Sequence, residues 1–107
     1  MNKIELMGRM VNEKVELRES KTKVKYVKFT LAVTRKLDKE KTDFIDVIAT
    51  SKLAEVVEKY VKKGNRIIIT GELHIDSFQD KDGNNRKSVS VMMDDLYFVD
   101  YNLKKEE

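Results

Sequence analysis

The chemistry open to this chain is narrow. Its 107 residues include no cysteine and a single histidine, His74, so disulfides, thiolate metal sites and a histidine-built zinc or triad constellation are excluded. Asp94 and Asp95 are adjacent carboxylates, but neighbouring strand positions point to opposite faces, which rules out a shared acid and base site. Neither catalysis nor a cofactor is expected. What remains is aromatic and cationic: four Phe, four Tyr and 22 Lys plus Arg, with no Trp. Such groups offer π-faces to flat rings and positive charge to anions. Phe44 is the clearest case. From Phe44 to Thr50 the pattern alternates, with Ile45, Val47 and Ala49 on one face and Phe44, Asp46, Ile48 and Thr50 on the other. Phe44 therefore lies on the side away from the apolar set. Between Val24 and Lys36 the same alternation puts Val27, Phe29, Leu31 and Val33 on a core face. Tyr26, Lys28, Thr30, Ala32 and Thr34 form a polar face with basic and hydroxyl groups.

These segments need a scaffold, and the rest of the sequence describes one. Residues 3–11 read as a first strand, with Gly8 marking close packing or a bend. Residues 12–23, NEKVELRESKTK, make an irregular connection to the second strand, about 24–36. A charged loop, KLDKEKT, leads into the third strand at Phe44–Thr50. Leu53, Val56, Val57, Tyr60 and Val61 then form one helical stripe, with Ser51 as N-cap, Lys62 and Lys63 in the last turn and Gly64 as a left-handed C-cap. A strand runs from Arg66 to Phe78, with Gly71 at a bulge or corner, and Asp82-Gly83 turns the chain within a longer loop. The last strand, about 86–99, shifts phase across Asp94 and Asp95, which predicts a bulge. Phe29 and Tyr60 fall on core faces and Phe98 closes the end. Five strands with one helix between the third and fourth fit an all-β fold, the five-stranded Greek-key OB-fold barrel. A simple α+β sandwich of the same elements is the alternative. The expected domain spans residues 1–101, followed by a short charged tail, 102–107.

Composition sets the outer limits. Hydrophobic residues are 40% and charged residues 38%, which describes a globular chain with a densely charged surface. The formal net charge is +3, unevenly placed: residues 1–66 carry 17 Lys plus Arg against 10 Asp plus Glu, and residues 67–107 carry 5 against 9. The first two thirds thus offer a basic surface. Lys3, Glu5 and Arg9 interrupt the N-terminal segment, so it does not read as a signal peptide, and no apolar run reaches the length of a membrane span. A cytoplasmic location without membrane association is the expectation.

Several blocks, in order, carry a more specific signal: NKIELMGRM at the N-terminus, VELR at 15–18, KFTLAVTR at 28–35, TDFIDV at 42–47, KLAEVVEKYVKKG at 52–64, GELHIDSF at 71–78 and the DGNNR turn. In these the chain resembles the bacterial single-stranded DNA-binding protein family, cellular or phage-borne, over nearly its whole length. The resemblance implies single-stranded DNA as partner, bound without strong sequence preference in replication, recombination or repair, by bases stacked on aromatics and phosphates met by Lys and Arg. It assigns stacking to Phe44 and Phe78 and phosphate contact to Lys3, Arg18, Arg35, Lys36 and Lys52. It further implies a homo-tetramer, with a dimer as the alternative, and replication or repair proteins as partners.

The sequence also departs from the family. Thr50 stands where a Trp or Phe is usual, Leu37 where another aromatic is common, and Glu19 where a tyrosine follows VELR. The chain stops at KKEE, without the family's glycine-rich linker and acidic tail. Weaker or differently assembled binding is therefore expected. These departures favour a second reading, an interaction module resembling primosomal replication protein N, dimeric and feeble on DNA.

Overall fold

The expected alternation in the middle of the chain forms two neighbouring strands of one ladder. In this computed structural model, which describes residues 1–99, Lys25–Thr34 (β3) and Thr42–Thr50 (β4) pair antiparallel from Tyr26 opposite Thr50 to Thr34 opposite Thr42. Val27, Phe29, Leu31, Val47 and Ala49 are almost fully buried, because period-two alternation gives each strand one apolar side. Ile4–Met10 (β1), Arg66–Gln79 (β5) and Asn85–Phe98 (β6) complete the core, with Met10, Ile67, Ile69, Val91 and Met93 also buried.

The strands form a ring. β1 pairs antiparallel with β5, β5 with β6 and β3 with β4; β4 meets β6 in parallel, and β1 returns to β3 through Arg9 and Met10. The one helix, Ser51–Tyr60 (α1), lies between β4 and β5 and buries Ala54 and Val57. This is the expected order of five strands and one helix, with one addition. Arg18–Glu19 (β2), inside the segment read as irregular, forms a two-residue ladder with Tyr26 and Lys25.

Two glycines act as anticipated. A Cβ on Gly8 would strike the carbonyl of Ala32, and one on Gly71 would strike that of Met92, so both allow strands to approach more closely than any side chain permits. The β5–β6 register slips at Thr70 and Gly71: Thr70 faces Asp95, Gly71 faces Met93, and Asp94 is left over. The phase shift read across Asp94 and Asp95 is this bulge.

The helix ends differ from expectation. Ser51 is not the N-cap. Strand passes into helix with no connecting residue, so Thr50 occupies the cap position without a side-chain bond, and Ser51 makes the turn at φ +54. Helix geometry ceases at Tyr60, and Val61 is extended. Lys62 and Lys63 therefore follow the helix, and Gly64, at φ +86, belongs to a turn stitched to β1. There Gly64 N donates to the Met10 carbonyl at 2.8 Å and Met10 N to that of Asn65 at 3.0 Å. Tyr60 is also not a core residue. It ends the helix, is 57% exposed, and carries the Lys59 ammonium 5.6 Å from its ring centre. Phe98 faces Ile67 across the ladder but remains partly exposed at the rim. The expected domain boundary at 101 and the tail 102–107 lie outside the described residues.

Candidate nucleic-acid interface

Side chains opposite one another in a ladder leave the sheet on the same side, so the register traces one outer face across four strands. On β3 and β4 it pairs Tyr26 with Thr50, Lys28 with Ile48, Thr30 with Asp46 and Ala32 with Phe44. The parallel step carries it to β6, where Asp46 faces Ser90 and Ile48 faces Met92. From there it passes to β5, with Ser90 opposite His74, Ser88 opposite Asp76 and Arg86 opposite Phe78. Phe44 and Phe78 thus occupy one side of the sheet. Both are open to solvent, at 67% and 51% of full exposure, far from the burial usual for phenylalanine.

Phe78 sits on an arm. Among the described residues, β5 beyond Gly71 has no strand partner except β6, and β6 below Ser90 has none except β5. At the foot of the arm the Asn2 side-chain amide bonds both backbone groups of Leu73, donating to its carbonyl and accepting from its N–H at 2.9 Å each. At the tip Asp80 closes a five-residue loop. Its carboxylate accepts from Asp82 N at 3.0 Å, Asn84 N at 2.9 Å and Arg86 Nε at 2.9 Å. The arginine, followed by the backbone donors, holds the Asp80 carboxyl below its ordinary range. Ser77, Phe78, Arg86 and Lys87 together line a shallow cleft on the arm.

The expected phosphate contacts are all exposed but differ in what already occupies them. Lys3, Lys36 and Lys52 form no hydrogen bond or ion pair among the described residues. Arg18 Nη2 lies 3.3 Å from Glu16. Arg35 grips Asp43 with two nitrogens, Nε at 3.1 Å and Nη2 at 3.0 Å. That fork raises the arginine and lowers the aspartate in pKa, so Arg35 meets an anion only by competing with its neighbour. Lys36 follows the β3 end of the ladder and Lys52 the opposite end of β4, roughly 30 Å apart at strand rise. Arg35 and Asp43 share the parity of the core side of their strands, not that of Phe44, and Lys52 lies on the helix. By register, the cations on the Phe44 side are Lys28 and Arg86. Sequence reasoning did not single out Arg86 and Lys87, beside Phe78, or Lys14, Tyr26 and Lys28, which line a larger cleft where residues 12–18 approach the β3–β4 face. The alternation that put Tyr26 and Lys28 on the polar face was the available signal.

Residues 1–99 match the single-strand binding protein family. The chain belongs to that family. Among similar proteins, the single-stranded DNA-binding protein of Clostridium perfringens is 34% identical over 94% of this chain and 67% of its own length. Single-stranded DNA-binding protein 1 of Clostridium acetobutylicum is 34% identical over 99% of this chain and 98% of its own length, and the Clostridium tetani protein 32% over 98% and 74%. For a family member the closed five-strand ring with its helix between the third and fourth long strands is the OB-fold, as the element order implied. The departures from the family lie at separate places in the fold. Thr50 is on the outer face of β4, Leu37 is 98% exposed in the loop after β3, and Glu19 belongs to β2.

Among the described residues no group of three or more His, Asp or Glu side chains is placed to hold a metal ion, and no helix is long and apolar enough to cross a membrane.

Proposed function

We propose that this chain binds single-stranded DNA without strong sequence preference and protects it during replication, recombination or repair. Bases stack on Phe44 and Phe78, and phosphates are met by Lys3, Arg18, Arg35, Lys36 and Lys52. One observation carries the reading: two phenylalanines on different strands, both open to solvent, share one outer face with the cations Lys28 and Arg86. Stacking platforms in basic grooves are the established means by which such proteins hold single strands. The role is binding, not catalysis, and needs no cofactor. The working form is a homo-tetramer in the cytoplasm, recruiting replication or repair proteins.

With no tryptophan for quenching, anisotropy of labelled oligo(dT) is the suitable assay. Binding tighter than to a duplex of equal length is expected, with log K falling against log salt at a slope near 0.7 per phosphate contacted. Equal affinity for both at low salt sinks the proposal. Mass in solution, recorded alongside, separates it from the interaction-module reading, which requires a dimer with feeble DNA binding.

A further inference from the structure

We infer that Tyr26 is a third base-stacking platform, supplying from β3 the ring that Thr50 does not supply from β4. The inference rests on the single-strand reading above and adds a residue to its site. Tyr26 lies directly across the β3–β4 ladder from Thr50, so the two side chains leave the sheet on the same side with Cβ atoms about 5 Å apart. A ring on either strand serves the same place on the face.

Tyr26 is not part of the buried core cluster, although Val27 beside it is fully buried. It is half-buried, and its hydroxyl makes no hydrogen bond among the described residues, where a tyrosine held for the fold normally finds a partner. Its ring lines a cleft of about 560 Å³ together with Lys14, Arg18 and Lys28 and the carboxylates Glu16 and Asp46. Two of the cations are lightly engaged, Arg18 at 3.3 Å from Glu16 and Lys28 at 3.9 Å from Asp46. Exposed pairs of this kind contribute little to the fold and exchange readily for a phosphate. An aromatic face beside exchangeable cations is the chemistry that holds a nucleotide by base and backbone together. Thr50 and Phe44 are six residues apart along β4, roughly 20 Å. Tyr26 and Phe44 therefore serve different nucleotides of one strand.

The test is titration of labelled oligo(dT), and of an abasic deoxyribose-phosphate strand of equal length, with wild type, Tyr26→Ala, Tyr26→Phe, Tyr26→Leu and the double variant Tyr26→Ala/Thr50→Phe. Thermal melting of each reports whether it folds. A loss of about tenfold on oligo(dT) is expected for Tyr26→Ala, within the range that one stacked base contributes. Tyr26→Phe should bind like wild type, the double variant should recover most of the loss, and the abasic strand should not distinguish the variants. If the alanine variant melts early, Tyr26→Leu keeps the bulk without the π-face and carries the same expectation. Wild-type affinity for oligo(dT) in the leucine variant overturns the inference, and so does an equal loss on the abasic strand. Failure of the wild type itself to prefer oligo(dT) over duplex removes the parent reading instead.

Discussion

At the level of single residues, the proposal gives base stacking to Phe44 and Phe78, and both are open to solvent, so the fold gains little from burying them. Phe44→Ala and Phe78→Ala should each weaken oligo(dT) binding by about 1–3 kcal/mol, while urea denaturation midpoints stay within the narrow range typical of exposed substitutions. Unchanged affinity in both variants removes the stacking assignment even if binding survives. Ser51 makes the opposite kind of contribution. At φ +54 it holds the left-handed region, which costs a residue with a Cβ about 1–2 kcal/mol. Ser51→Gly relieves that strain against the greater flexibility of glycine in the unfolded chain. A net gain of up to about 1 kcal/mol is expected, read as a higher urea midpoint; a lower one contradicts the strain. The sequence signal at this position was misleading for a physical reason. Serine before an amphipathic stripe is a strong N-cap pattern, but it cannot show that the preceding strand runs directly into the helix, which makes Ser51 the first helical residue and leaves the cap position to Thr50.

At the level of elements, legibility followed periodicity. β3 and β4 were readable to within two residues at each end because each alternates strictly, and the bulge opposite Gly71 was readable because Val89, Val91 and Met93 fall out of phase with Leu96 and Phe98. The two-residue β2 was not, since Arg18 and Glu19 are both exposed and leave no apolar imprint. Tyr60 was misplaced because it keeps the spacing of the apolar stripe but stands at the last residue of the helix, where its side chain is exposed. The face proposed for DNA was legible through Phe44, but Lys28 and Arg86 become part of it only through partners distant in sequence, Ile48 and Phe78, and a register across strands is not written in either one. Gly71→Ala tests the bulge. Its Cβ would press on the Met92 backbone, which cannot yield as a side-chain tip would, so a loss of about 1–3 kcal/mol is expected. Equilibrium urea unfolding measures it, and a neutral result shows that the strands can separate without penalty.

For the whole molecule, charge arrangement sets the response to acid. Asp43, Asp80 and Asp95 all titrate below the ordinary carboxylate range, through side-chain hydrogen bonds from Arg35, Arg86 and Tyr97 respectively, with backbone donors assisting the last two. A carboxylate with a depressed folded pKa contributes stability above its unfolded value, near 4, and loses it as pH falls through the folded value. The urea midpoint should therefore hold steady from pH 7 to 5 and decline below about pH 4, modestly because all three groups are solvent-exposed. Replacing all three by Asn should flatten that decline. The same exposure should give DNA affinity a strong salt dependence, since the exposed cations are screened together with their carboxylate neighbours.

The arm formed by the far halves of β5 and β6 has a further consequence, in the timing of motion. Its strands have no other strand partner, and Ile75 and Val89, which continue the core side, remain about half exposed, so little apolar burial opposes its local opening. Its amides should exchange with deuterium by sub-global fluctuation while those of Phe29, Leu31 and Val47 wait for global unfolding. Asn2 sets the boundary between these regimes through its two bonds to Leu73. In Asn2→Ala the fast-exchanging zone should spread from the tip down to Leu73 without a change in the slowest core amides. A single-strand ligand bridging Phe44 and Phe78 should suppress this exchange, because it ties the arm to the strands that carry the buried core.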